Sequence, residues 1–488
     1  MSIFRDFFVK EKPVFTGISR GLGGFGFGGG AGGSGEVGFS ASGGTVDALY
    51  DSSSQFAYHT FISPGTLTVT DSVANAEILV IGPGGGGAGG NGGSGGGGAG
   101  GIVHVTSHTL QPGTYTISVP AGGAGGAASN DSGITGGDAT VTHPGGLSLT
   151  AKGGGGGAGW TKDSEPGGCG GGASGPGAGD EGLTIQASTP QTLGPGGGSA
   201  TPHGFAGGNV PTGSGFMGGG GGGTGGVGDD GRNAPGNGGT GAQFSNYTGN
   251  KIGLPFLNPL AGRYGGGGGG MAEVPSSKDG GVGGAGGGGR GARSRPQWYG
   301  SPGLVFTGSG GGGGMWWPSG STSGGDGGQG MVVVRYPQPD SSAATGTAHT
   351  YGYRYWRLYK MDGASSGAWT NEIQFFEVGS STYYQGTNYQ NWSYNDVQLA
   401  GSWDTNLTDG NTSNNAIHTD TADAGAWLKL DLGANNPRFF DRVKIWLDGT
   451  NVHSWWRIEA SNDNANWTVI HKGAQMDGIS SAVIYIGQ

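Results

Sequence analysis

Ile78-Leu79-Val80-Ile81-Gly82-Pro83-Gly84-Gly85-Gly86-Gly87-Ala88-Gly89-Gly90 is the stretch that decides how this chain folds. An apolar strand runs straight into glycine, and comparable runs recur at 153–157, 218–223, 265–270 and 310–314. Each glycine loses more backbone freedom on ordering than any other residue, so a folded protein must offset that cost. Two outcomes are physically reasonable: flexible linkers, or polyproline II helices packed side by side. Such a helix has three residues per turn, a rise of about 3.1 Å and outward-pointing, unpaired backbone groups. Without a Cβ, neighbouring helices approach closely enough to hydrogen-bond laterally, which supplies the partners that buried backbone groups require. A seven-residue run would then span roughly 22 Å, the depth of a compact layer.

The wider composition favours the ordered outcome. With 124 glycines and 22 prolines among 488 residues, low complexity is the first expectation. Yet large apolar residues punctuate the runs: Trp160, Phe205, Phe216, Tyr264, Met271, Trp298 and Met315 among them. Disorder accompanies low hydrophobicity and high net charge, whereas only 11% of this chain is charged. No strict Gly-X-Y period is present, which excludes collagen. The recurrent Gly-x-Gly-x-x-Gly matches are not followed by an amphipathic helix, so none reads as a dinucleotide site.

Charge and cysteine narrow the function classes. A net charge of −10 leaves no basic stripe for phosphates, so nucleic acid is not an expected partner. The single cysteine, Cys169, permits no intrachain disulfide and reads as a small buried residue rather than a catalytic thiol. No stretch approaches 18 apolar residues, so no membrane span is expected. The N-terminus lacks the sustained apolar core of a signal peptide, and the protein is expected to be made and folded inside a cell.

Taken in order, residues 1–55 form a head and linker. Phe4, Phe7, Phe8 and Phe15 sit there among Arg5, Lys10 and Lys12, in a segment too short to bury its own aromatics. Exposed apolar segments mark interaction sites, so these four phenylalanines are the candidate docking residues. The alternative is an arm folded back on the glycine-rich body. The stretch Phe7-Phe8-Val9-Lys10-Glu11-Lys12-Pro13-Val14-Phe15-Thr16-Gly17 resembles N-termini of virion proteins of tailed phages, cyanophages especially.

From residue 56 to 337 short strands alternate with glycine. Thr114-Tyr115-Thr116-Ile117-Ser118-Val119 has the period of a half-buried strand, and Met331-Val332-Val333-Val334-Arg335-Tyr336 follows the last glycines. The economical architecture is a small β scaffold whose loops are glycine lattice, closed by a strand from the far end. The entry at 78–84, the return Gly100-Gly101-Ile102-Val103, the segment Leu110-Gln111-Pro112-Gly113 and the closing Gly330-Met331-Val332 are similar to the glycine-rich domain of phage tail-fibre and appendage proteins. That resemblance implies a virion appendage. Glycine bundles also occur in antifreeze proteins, so composition alone leaves both open.

Residues 338–350 have linker composition, and 351–488 read as an antiparallel β domain with evenly spaced strands. Leu407-Thr408-Asp409-Gly410-Asn411, Trp427-Leu428-Lys429-Leu430-Asp431-Leu432-Gly433 and Ser461-Asn462-Asp463 with Asn466-Trp467 resemble the discoidin, or coagulation-factor C-type, module. The resemblance implies a galactose-binding-like jelly roll that binds sugars, lipid headgroups or proteins through loops at one end, often with a structural calcium. By the same resemblance calcium would lie near Asp409, Asn411 and Asn414, hard oxygen donors of the kind this ion takes. An Asp-Gly-Asn tight turn without metal is the competing reading. No other cofactor is expected.

Sugar binding needs an aromatic platform with polar groups around it. Trp455 and Trp456 are adjacent, so in a strand they face opposite sides. The resemblance makes Trp456, Trp427 and Trp467 core, which leaves Trp455 as the exposed candidate beside His453 and Asn451. Trp403 and the tyrosines Tyr383, Tyr384 and Tyr389 are further candidates. Catalysis finds little support: Asp229-Asp230 and Asp180-Glu181 read as solvated loop carboxylates, and no nucleophile-elbow or zinc motif occurs.

The expected protein is therefore all-β and non-enzymatic. It combines a glycine-rich β scaffold and polyglycine II lattice with a discoidin-like jelly roll, in a virion appendage assembled in the host cytoplasm. Its expected partners are other virion proteins through the head, a host surface glycan or protein through the C-terminal module, and copies of itself, a trimer by preference. A capsid decoration or tail-assembly role, an ice-binding bundle and a depolymerase are the alternatives.

Overall fold

The structure is a computed structural model that describes residues 41–338 and 352–486. Omitted within that span are 47, 91, 128–130, 176–181, 184, 187–188, 212–215, 273–278, 294–296, 318–319, 363–368, 387–388, 390, 419–423, 449–454 and 477–479. Phe4, Phe7, Phe8 and Phe15 lie outside the described residues, as does the linker beyond Gln338. The fold is all-β, with helix confined to short segments such as Pro255–Leu260 and Trp403–Asn406.

Two antiparallel sheets build the scaffold. One holds Ala41–Gly43, Gly65–Val69, Gly113–Ser118, Ala139–His143 and Leu147–Ala151 in that order. The other runs Ser199–His203, Ile102–Leu110, Val73–Ile81, Met331–Pro337, Phe56–Phe61, Leu49–Asp51. Phe61, Leu67, Ile78, Val80, Tyr115, Val141 and Val334 form the core between them. The closing strand Met331–Pro337 sits in the middle of its sheet, paired with Val73–Ile81 on one side and Phe56–Phe61 on the other. Its opposite face is covered too, where Leu79, Ile81 and Val333 pack with Tyr247, Leu254, Leu257 and Phe306. Burial on both faces explains why this strand reads as a continuous apolar run. Two strands, Ala41–Gly43 and Leu49–Asp51, come from the segment expected to be linker, and Ser199–His203 was not legible as a strand.

The glycine runs are ordered by one another. Along 84–90 successive N–H groups turn to three different neighbours. Gly84, Gly87 and Gly90 donate to the carbonyls of Gly328, Gly325 and Thr322; Gly85 and Ala88 to Gly98 and Gly95; Gly86 and Gly89 to Ile134 and Asp131. Each donor three residues on reaches the same neighbour three residues back. That is the signature of a threefold helix with antiparallel partners. Residues 219–224 repeat it, with Gly219 and Gly222 donating to Ala173 and Gly170, and Gly221 and Thr224 to Gly268 and Gly265. The packing distance admits no side chain at most sites: a Cβ on Gly84 would lie 2.0 Å from the Ser309 carbonyl oxygen. Cys169 is buried within this lattice, and burial pushes its thiol up to about 12.

The C-terminal unit is two facing five-stranded antiparallel sheets. One runs Trp392–Asn395, Trp427–Asp431, Tyr355–Lys360, Trp455–Ser461, Thr468–Gln475; the other Gln398–Leu399, Ile417–His418, Trp369–Glu377, Phe440–Leu447, Ser481–Tyr485. Trp356, Ile373, Phe375, Leu430, Phe440 and Ile458 lie in the core between them.

This unit is seated against the lattice over a broad seam. Val378 and Phe439 join the cluster of Leu257 and Phe306, with Phe439 5.3 Å from the Phe256 ring. The Gln297 side chain pairs with the backbone of Tyr485 in both directions, each bond 3.2 Å. Lys472 Nζ reaches Asp326 at 3.0 Å and the Gly324 carbonyl at 3.2 Å.

Candidate functional site

The tryptophan expected to be exposed is turned inward. Trp455 opens the strand Trp455–Ser461, where it is half-buried and packs on the cluster of Met271, Ala292, Trp298 and Met315 from the lattice. Its ring stands edge-on to Trp298 and Tyr299, with centroids 5.0 and 6.0 Å away. Strand alternation does send Trp455 and Trp456 to opposite faces, and Trp456 is buried in the sandwich. The face left to Trp455, however, is the one the lattice covers. His453 and Asn451 lie outside the described residues.

The tyrosine candidates belong to the interior. Tyr389 is buried, its hydroxyl donating to the Ile373 carbonyl. Tyr383 and Tyr384 are half-buried against the core, and Tyr384 Oη accepts a 2.6 Å bond from the Asn436 amide. Trp427 and Trp467, expected in the core, are only half-buried. Cations roof them instead, with Arg357 3.8 Å over the Trp467 ring and Lys429 5.1 Å over Trp427.

Another candidate, Trp403, is half-buried against the sandwich core beside an exposed tyrosine. Tyr394 on the edge strand is 43% exposed and stands edge-on to Trp403, centroids 5.3 Å apart. Asn395, Asp396, Gln398, Ser402 and Asp404 are exposed around it. The turn that presents Trp403 is sharp, since Ser402 has a left-handed backbone, φ 60°. Two rings with amide, carboxylate and hydroxyl groups beside them can meet both the C–H face and the hydroxyl rim of a saccharide.

The candidate metal loop is closed on itself. Asp409 Oδ1 accepts the Asn411 N–H at 2.7 Å, Asn411 Oδ1 accepts the Ser413 N–H at 3.0 Å, and the Asn414 amide lies 3.5 Å from Asp409 Oδ2. These are the bonds of a tight turn, and each accepting oxygen keeps a further lone pair. Beneath the loop sits Glu372, fully buried. Its Oε1 accepts from Gly410 N and Gln374 Nε2, both 3.2 Å, while its Oε2 is buried without a partner. Burial, aided by the charge of Asp409, pushes this carboxyl up to about 7 despite those bonds. The single unsatisfied oxygen suits a proton as well as a cation. Among the described residues no group of three or more His, Cys, Asp or Glu side chains is arranged to hold an ion.

A charged cluster in the scaffold went unnoticed in the sequence. Arg335 Nη2 meets Glu77 Oε1 at 2.5 Å, and Glu77 Oε2 accepts from His104 and from Tyr247 Oη at 3.1 Å each. Burial alone would raise Glu77, but hydrogen bonds from His104, Arg335 and Tyr247 hold it down at about 2. His104 and Tyr247 also line a surface cleft of about 380 Å³ with Thr201, His203 and Phe244. The signal was there: Glu77 and Arg335 each interrupt an apolar strand, and they face one another in register. Elsewhere the acidic pair reads as expected, with exposed Asp229 and Asp230 bonded to Asn237 and Arg232. Asp180 and Glu181 lie outside the described residues. No helix among the described residues is long and apolar enough to cross a membrane.

Residues 60–337 match the family model described as a glycine-rich domain. No curated protein matches the chain.

Proposed function

The chain belongs to the glycine-rich domain family, and we propose that it is a non-enzymatic structural appendage of a tailed-phage virion whose C-terminal module binds host-surface glycan. The observation that carries this reading is the pairing of a cross-bonded glycine lattice with a sandwich packed on its side. A body of that kind resists bending and presents the Tyr394–Trp403 surface at a fixed position, as an adhesin requires. The discoidin-like sequence motifs supply the ligand class. The head docks on the particle through Phe4, Phe7, Phe8 and Phe15, and copies of the chain add weak sugar contacts through high effective concentration.

The test uses the full-length chain on host cells and on their isolated surface polysaccharide. Trp403→Ala and Tyr394→Ala should each weaken binding by roughly 1 kcal/mol or more per site, Tyr394→Ala with unchanged melting temperature and Trp403→Ala with some loss of stability because its ring packs on the core. Deletion of residues 1–25 should leave glycan binding intact while abolishing incorporation into particles. A chain that ignores host surfaces yet captures another virion protein through its C-terminal module would replace adhesion with an assembly role.

A further inference from the structure

The seam between lattice and sandwich encloses a cleft of about 520 Å³. The lattice contributes Arg263, Arg290 and the turn 282–288, and the sandwich contributes Arg442 and Tyr485. Sites at such junctions commonly hold small ligands, and this volume lies within their usual range of roughly 300–1,000 Å³.

Three arginines line this cleft in a chain with 23 basic against 33 acidic residues. Among the described residues their carboxylate contacts are long. Among the described residues Arg263 donates to the Gly241 carbonyl, at 3.0 Å. Arg442 donates to the Ser380 carbonyl, and its nearest carboxyl is Asp441 at 3.8 Å. Arg290 is the least satisfied: its Nε is buried without a partner, and the nearest oxygen of Asp279 is 4.0 Å away. Arg293 already holds Asp279 by two bonds of 3.2 and 3.0 Å. The Arg290 guanidinium lies 5.6 Å from the centre of the Tyr485 ring, which helps hold it in the cleft. A guanidinium presents paired N–H donors that match a carboxylate.

We propose that this interdomain cleft binds the carboxylate of an acidic sugar, with Arg290 and Arg442 as the anion-holding residues. Leu260, Val282, Ala285 and Tyr485 give the same cleft apolar surface, which suits the C–H face of a sugar ring better than a bare inorganic anion. The saccharide class rests on the adhesion reading; the anion preference rests on the cleft alone. Because both domains supply walls, the site exists only while the two remain docked.

Calorimetric titration of the full chain with glucuronate, galactose and inorganic sulfate at low salt tests the assignment. Glucuronate should bind saturably, galactose should not compete, and Arg290→Gln and Arg442→Gln should each weaken binding at least about tenfold. Should Arg290→Gln fail to fold, Arg290→Lys keeps the charge without the fork and should weaken binding in the same direction. Absence of saturable binding overturns the proposal, as does affinity unchanged in both folded variants or sulfate binding as tight as glucuronate. Trp403→Ala should leave glucuronate affinity unaltered. Loss of glucuronate binding alongside intact Trp403-dependent cell binding would therefore remove this site and not the adhesion reading.

Discussion

Trp455 stands edge-on to Trp298 across the domain seam, ring centroids 5.0 Å apart and planes at 76°. Trp298 is buried at 1% exposure, and Met271, Ala292 and Met315 surround it. The contact ties the first residue of a sandwich strand to the interior of the lattice, so neither ring is free to serve as a surface platform.

Truncating this pair should be felt in stability. Trp298→Ala should cost about 3–5 kcal/mol in denaturant unfolding, as removal of a buried aromatic does. Trp455→Ala should cost less, since its ring is only half-buried. A double-mutant cycle should return a coupling of about 0.5–1.5 kcal/mol. Strict additivity would mean the two rings do not stabilise the seam together.

The lattice makes a sharper demand. A Cβ on Gly220 would lie 1.9 Å from the Asn237 carbonyl oxygen, whereas one on Gly401 would meet nothing within 4 Å. Gly220→Val should therefore prevent folding of the body or lower its melting temperature severely, and Gly401→Ala should be silent. Backbone amides of 84–90 and 219–223 should be strongly protected from hydrogen exchange, because each has an acceptor. Exchange at random-coil rates through both runs would contradict the bonding pattern.

Glu372 predicts an unusual pH response. Its folded pKa, about 7, lies above its ordinary value of 4.5. The folded state thus binds the extra proton between those values, and stability from this group is present below pH 4.5 and lost as pH rises through 7. Asp441, pushed up to about 6 by burial, acts in the same direction. Buried His471, pushed down to about 3, opposes them below pH 6.5. Glu372→Gln isolates the effect: relative to the parent it should raise the melting temperature at pH 8 and lose that advantage at pH 5. An equal shift at both values would show that Glu372 is charged when folded.

The ion pair in the scaffold should behave in the opposite sense. Arg335 and Glu77 meet at 2.5 Å on the central strands, with the Arg335 side chain 5% exposed. Arg335→Met leaves the Glu77 carboxylate with reduced compensation and should destabilise the scaffold by about 3–5 kcal/mol at neutral pH. The loss should shrink as pH falls toward 2, where Glu77 itself takes a proton. A variant as stable as the parent at pH 7 would show that the pair contributes nothing net.

Much of the scaffold was legible because its signals are local. Val80 and Ile81 run into glycine, Ile102 and Val103 emerge from it, and Thr114 to Ser118 alternate; each pattern expresses backbone geometry within a few residues. The glycine runs likewise announced a lattice, since few other arrangements could offset the entropy of ordering them. The self-closed turn at Asp409 was legible in the same way, from Asp-Gly-Asn alone. Neighbours were not legible. Local alternation says that Trp455 and Trp456 diverge, but Trp298, more than 150 residues earlier, covers one of those faces. Arg290 and Arg442 are unremarkable in their own segments and acquire a shared cleft only when two domains dock. Sequence by itself determined the strands that border the glycine runs, the glycine helices and the turns, because backbone preference and side-chain period act over a few residues; the short strands Ala41–Gly43, Leu49–Asp51 and Ser199–His203 needed their sheet partners. Only the tertiary structure decided which faces meet water, because exposure is set by whatever distant surface packs there.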